Sequence, residues 1–315
     1  MKERLIRIKI IDFININNSR QCISIRTCNP ENPVLLYLHG GPGDAAIPLV
    51  AKYSKQLEKI FTVVTLEQRG AGKSFYPFAK SGEITINTFV DDIYMLSTYL
   101  LKRFNQEKLY LVGHSWGSVL GLRFIQLYPD LVNVYVGCGQ VINMMKSEKI
   151  AYDFVLQKNK EMNNMKIIKK LELIDYSYSQ ETWLKDLLFV KRQVVKHKGS
   201  LYEKTNYNRF ILDFLVSTEY NLWDVFNRLR GSMQSIKHLW QELMSINFED
   251  INEFEVPVVF VAGRGDYHVS SDLVYEFFLA LKSPKQFHWF ENSCHFPQWC
   301  EPQKFYEVMK STVIP

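Results

Sequence analysis

The pentapeptide Gly113-His114-Ser115-Trp116-Gly117 constrains this chain more than any other stretch, because of what flanks it. The apolar run at 109–112 reads as a short buried strand. The residues that follow place Val119, Leu120, Leu122, Phe124, Ile125 and Leu127 around most of a helix that stops at Pro129. A Gly-x-Ser-x-Gly sequence between a strand and a helix is the signature of a nucleophile elbow, a turn tight enough to hold its serine in a strained conformation. Glycines two before and two after the serine remove the Cβ atoms that would collide there. Ser115 Oγ is then expected to leave the sheet at a helix N-terminus, where partial positive charge favours a developing anion. Without its flanks, the same pentapeptide would read as a glycine-rich turn with a capping serine.

A chain of 315 residues exceeds an average domain yet fits one α/β core with an insertion. Its 47% hydrophobic and 14% aromatic content is ample for a large core, so disorder is not expected. The net charge of +5 is spread along the sequence. The basic runs at 166–170 and 191–198 alternate with apolar residues, as solvated helix faces do, and nucleic-acid binding is not expected. The five cysteines form no C-x-x-C pair, and Cys294 and Cys300 are too far apart for a zinc knuckle, so neither a metal nor disulfides are implied. The opening MKERLIRIKI suits a strand and not a signal peptide. No apolar run approaches the roughly 18 residues of a membrane span, so a cytoplasmic protein with no membrane partner is expected.

Residues 6–16 and 21–27, joined by Asn17-Asn18-Ser19, read as a hairpin at a sheet edge. The runs 34–38 and 61–66 are continuously apolar, as parallel strands buried on both faces require, and 132–136 is another strand. Helices are expected at 48–59 and 87–104. Strands and helices alternating in this way imply a doubly wound, mostly parallel sheet with its loops gathered at the carboxyl edge. From 141 to 252 only helical patterns occur, including 180–198 and the aromatic-rich 210–244. The organisation expected is a core at 1–140, a helical cap at 141–252, and a second part of the core at 253–315. In that second part, strands at 256–262 and 286–290 lead to Asp266 and His295, and a helix at 302–312 closes the chain.

A serine hydroxyl is a poor nucleophile at neutral pH and needs a base, which in turn needs an orienting carboxylate. Gly40-Gly41, after the strand at 34–38, provides a turn whose backbone N–H groups can approach such a serine. Two other motifs are dismissed. Gly72-Lys73-Ser74 resembles the end of a phosphate-binding loop, but its leading glycine position is Glu67. Arg264-Gly265-Asp266 has the form of an adhesion tripeptide, which a cytoplasmic chain has no use for.

With these residues in place the chain resembles the α/β-hydrolase superfamily over nearly its whole length. His39-Gly40-Gly41-Pro42-Gly43, the Gln68-Arg69-Gly70-x-Gly72-x-Ser74 loop and Ser115-Trp116-Gly117 look like the prolyl aminopeptidase (proline iminopeptidase) branch. Glu67 stands where that branch typically has Asp, and His114 where it typically has Gly. The resemblance implies a triad in the order Ser115, Asp266, His295, with the N–H groups of Gly41 and Trp116 as an oxyanion hole. His268 is the main competitor of His295 and follows the acid too closely; His39, His114, His197, His238 and His288 fall in other elements. It further implies release of an N-terminal residue from a short peptide, without a cofactor, by a cap that recognises the free amine.

An ammonium group is bound in a buried site only by carboxylates or carbonyl dipoles. Glu219, among aromatic residues, is the first candidate, although a helix N-terminal acid after Ser217-Thr218 explains it as well. Asp213 and Glu301 are the others. A carboxylester hydrolase or lactonase with the same triad is the alternative. A non-catalytic receptor on this fold has less need of all three triad residues.

Overall fold

The structure is a computed structural model that describes residues 7–78 and 84–313. Residues 1–6, with Ile6 at the start of the expected first strand, lie outside the described residues. The chain begins with β1 (Ile8–Ile16) and β2 (Ser19–Thr27), paired antiparallel. Their link is Asn17-Asn18, with φ of 44° and 58°, the left-handed pair that a two-residue hairpin turn requires. β3 (Val34–Leu38), α1 (Ile47–Tyr53), β4 (Thr62–Glu67) and α2 (Ile86–Phe104) follow. The helix expected at 48–59 ends at Tyr53, and only Leu57–Lys59 continues, as a 3-10 turn. Then come β5 (Leu109–His114), α3 (Trp116–Leu127) and β6 (Val132–Cys138).

Next the chain forms α4 (Met144–Glu161), α5 (Met165–Leu171), α6 (Trp183–Lys196), α7 (Asn208–Leu215) and α8 (Leu222–Met244). The aromatic-rich stretch is thus two helices. Asn221 starts the second, its side chain accepting from Asp224 N–H while the Asp224 side chain accepts from Asn221 N–H. This helical insertion leaves and rejoins the core at one place, where Phe248 N–H donates to Ile142 O and Met144 N–H to Ile246 O. β7 (Val258–Gly263), α9 (Ser271–Ala280), β8 (Lys285–Phe290), α10 (Pro297–Cys300) and α11 (Pro302–Val313) complete the chain.

The eight strands form one sheet in the order β1-β2-β4-β3-β5-β6-β7-β8. All pairs from β4 to β8 are parallel. α2, α3 and α9 bury Ile93, Leu120 and Phe277 on one face, and α1 and α11 bury Leu49 and Phe305 on the other. The chain steps outward from β3 to β4 and then returns to β5 on the opposite side of β3. At such a switch point the loops after β3 and β5 diverge, opening a crevice at the carboxyl edge. The loop carrying Gly40 and Gly41 and the turn carrying Ser115 are those two loops. Among the described residues, no helix is long and apolar enough to cross a membrane.

Candidate active site

Ser115 joins β5 to α3 with φ 53° and ψ −118°, a conformation that non-glycine residues hold only when their surroundings enforce it. The enforcement is visible. Ser115 N–H donates to Cys138 O at 3.0 Å, and Ser115 O accepts from Ser118 N–H at 2.8 Å and Ser118 Oγ at 2.5 Å. A Cβ on Gly117 would lie 2.3 Å from Leu38 O, and one on Gly113 would lie 2.5 Å from Gly117 O, so both positions admit only glycine.

Asp266 and His295 lie in the loops after β7 and β8. His295 Nδ1 donates to Asp266 Oδ2 at 2.9 Å. The other carboxylate oxygen accepts from His268 N–H (2.9 Å) and Val269 N–H (3.0 Å), which fixes its plane. The tautomer with hydrogen on Nδ1 leaves the Nε2 lone pair of His295 available to take a proton. The backbone of His295 is also held, its N–H by Ser200 O (3.1 Å) and its carbonyl by His114 Nε2 (2.9 Å). Burial pushes the His114 and His268 rings well below their ordinary pKa, so both stay uncharged beside His295. His268 gives Asp266 its backbone N–H, while the ring that meets the carboxylate is that of His295.

The loop after β3 is tied to the elbow by Gln68. Its side chain donates to His39 O (3.0 Å) and accepts from Trp116 Nε1 (2.8 Å). Its N–H donates to His39 Nε2 at 3.1 Å. Burial lowers His39 to about 4, so the ring stays neutral, with Nδ1 donating to Gly40 O. The N–H groups of Gly41 and Trp116 have no acceptor among the described residues.

Two cavities meet at Ser115. The larger, about 330 Å³, is lined by Ser115, His295, His268, Phe296 and Trp299, and by Asp44 and Arg228. The smaller, about 50 Å³, is lined by Ser115, Gly41, Trp116, Trp240, Lys191 and Glu148. Glu148, on α4, has a side chain with 0% exposure. Lys191 Nζ from α6 is 2.6 Å from its Oε1. Lys191 is therefore its ion-pair partner, and the buried Tyr178 side chain also faces it, although neither contact has full hydrogen-bond geometry. Burial pushes this carboxyl up, against the pull of Lys191.

None of the three carboxylates expected to bind an amine lines either cavity. Glu219 accepts from Arg26 Nη1 at 2.9 Å and pairs with Lys9 at 3.1 Å, so its charge is already used at the β1–β2 edge. Asp213 is held by Lys52 and by Tyr53 Oη (2.5 Å), against α1. Glu301 accepts from Asn292 N–H (3.1 Å) and Ser293 Oγ (2.7 Å), which anchors the loop leading to His295. Glu148, Lys191, Asp44 and Arg228 are the charged residues that sequence reasoning missed. For Glu148 a signal existed: it falls at helical spacing with Met144, Ser147, Ala151 and Val155, a lone carboxylate in the buried stripe of α4. The loop that resembled a phosphate site is a 3-10 turn whose Lys73 pairs with Asp224 at 2.6 Å. Among the described residues, no three His, Cys, Asp or Glu side chains converge as metal ligands do.

Residues 33–302 match the family model described as alpha/beta hydrolase fold. The "Probable aminopeptidase YbaC" of Bacillus subtilis (strain 168) is 34% identical over 303 residues, 95% of this chain and 94% of that protein. The "Probable proline iminopeptidase" of Leptolyngbya boryana is 37% identical over 102 residues, 32% of this chain and 30% of that one. Among solved structures, a proline iminopeptidase-related protein from Thermus thermophilus superposes with a TM-score of 0.67. It shares 17% identity over 97% of both chains, a likeness of fold alone.

Proposed function

The chain belongs to the α/β-hydrolase fold family and is an enzyme of that family, and from this premise we propose that it is a serine hydrolase releasing the N-terminal residue of short peptides. Ser115 Oγ attacks the carbonyl carbon while His295 Nε2 takes its proton and Asp266 steadies the imidazolium. The oxyanion receives the N–H groups of Gly41 and Trp116. As the C–N bond breaks, His295 returns the proton to the leaving amine. Water, activated by the same histidine, then cleaves the acyl-enzyme ester and frees Ser115.

The cavities supply the polarity of this reaction. His295 must reach the leaving amine, and it lines only the larger cavity. On this reading the leaving group sits there and the N-terminal residue occupies the smaller cavity, which Trp116 lines, while Gly41, like Ser115, lines both. The observation that supports the peptidase reading is that Glu148, unlike Glu219, Asp213 and Glu301, lines a cavity at Ser115; Lys191 already pairs with it, so a substrate ammonium would share this carboxylate with Lys191. The name of the relative that matches along 95% of the chain agrees with it.

The test is turnover of a proline arylamide with a free amine, against its N-acetylated twin and a short acyl ester. Turnover of the free-amine compound alone is expected. Turnover of the ester alone would favour the second reading, a carboxylester hydrolase, which the apolar wall of Leu49, Phe210, Phe296 and Trp299 in the larger cavity also suits.

A further inference from the structure

Arg228 of α8 lies on the wall of the larger cavity, together with Ser115 and His295. Its side chain is 20% exposed. Asp44, one residue past His39-Gly40-Gly41-Pro42-Gly43, holds one edge of the guanidinium, accepting from Nε and, at 3.1 Å, from Nη2. Phe214 covers a face, with its ring centroid 4.1 Å from Cζ. Burial works against the charge, but Asp44, together with Tyr220 and Glu67, outweighs it and the guanidinium pKa is raised, so the group stays cationic.

A guanidinium carries N–H donors on all three of its nitrogens. Those on Nη1 have no protein acceptor among the described residues. Asp44 therefore engages only Nε and Nη2, and Nη1 is left for a partner that is not part of the protein. An arginine fixed along one edge and one face is prepared to meet a planar anion with the edge that remains. Asp44 is then the residue that orients Arg228; it lines the same cavity and is the more exposed of the two, 34% against 20%, so an incoming carboxylate must approach from the Nη1 side, away from it.

We propose that Arg228 receives the C-terminal carboxylate of the leaving group, so that the substrates are short peptides with a free C-terminus. This rests on the aminopeptidase reading, which places the leaving group in the larger cavity. Glu148 on one side of Ser115 and Arg228 on the other then read the two charged ends of one small zwitterionic peptide.

The experiment compares kcat/KM for a Pro-Ala dipeptide and for Pro-Ala amide, both with a free amine. The acid is expected to be favoured by about 10- to 100-fold, the value of a charge-assisted hydrogen bond. Arg228→Met should bring that ratio to about one, and Arg228→Lys should keep part of it. As a second reading on the wild-type enzyme alone, alanine should inhibit arylamide turnover at concentrations where alaninamide does not. Equal rates on acid and amide in the wild type, or an unchanged ratio in Arg228→Met, overturns the proposal while leaving the aminopeptidase reading intact. Cleavage of neither peptide beside turnover of an ester overturns both.

Discussion

The carboxyl edge of the sheet and the helical insertion face each other across the two cavities, and the local sequence constrains them to different degrees. At the sheet edge, geometry is enforced over a few residues. Ser115 has one conformation because Gly113 and Gly117 approach backbone closer than any Cβ allows. Asp266 and His295 each follow a strand at a fixed offset, and their facing loops meet because β7 and β8 are neighbours. In the insertion, residues that share a cavity come from separate helices. Glu148 is on α4, Lys191 on α6 and Trp240 on α8, and nothing within any one helix specifies the other two. On the proposed function, the chemistry belongs to the rigid edge, while the choice of substrate is left to packing among helices.

If that division is right, the largest effects arise at the edge and are indifferent to substrate. Ser115→Ala and His295→Ala should each reduce turnover on the order of 10⁴- to 10⁶-fold, on arylamide and ester alike, with the melting temperature little changed. Ser115→Ala retaining more than a few per cent of activity would remove the nucleophile assignment. A loss confined to one substrate class would break the comparison itself.

Substitution in the insertion should instead discriminate. Glu148→Gln keeps the volume and removes the charge. It is expected to reduce kcat/KM on the free-amine arylamide by roughly 10²- to 10³-fold, the cost of an unpaired buried ammonium. Ester turnover should fall far less. Equal losses on both substrates would make Glu148 a packing residue. The same contrast explains what was legible in the sequence. The order of strands, the elbow and the loops bearing Asp266 and His295 follow from periodicity and turn chemistry. The amine-site candidates were judged by neighbours in sequence, which say nothing of Arg26, 193 residues before Glu219 and bonded to it. Lys52 likewise claims Asp213 from α1. The carboxylate that does line a cavity was marked only by its place on the buried stripe of α4, a pattern read as helix and not as chemistry.

The smallest expected effect lies at the joint between the two regions. Glu67, at the end of β4, is buried, and burial pushes its carboxyl up to about 7 although Tyr220 and Lys73 pull the other way. Tyr220, just before α8, donates its hydroxyl to Oε1, and Lys73 N–H donates to Oε2 at 2.6 Å. In the unfolded chain the same carboxyl titrates near its ordinary 4.5. Between these two values the folded protein holds the proton more tightly, so it binds more protons than the unfolded chain and stability falls as pH rises. The contribution is fully present below about 4.5, is lost through about 7, and changes no further above that. Its size is on the order of 3 kcal/mol. Melting temperatures measured from pH 5 to pH 8 should therefore decline in the wild type, and Glu67→Gln, which has no proton to lose, should flatten that part of the decline. A variant that keeps the full wild-type slope would place the titrating group elsewhere. A flattened slope with unchanged turnover at pH 8 would show that the joint sets how firmly the insertion is seated and leaves the chemistry to the edge, because Gln68, the next residue, holds the Gly41 loop and Trp116 through bonds that Glu67 does not share.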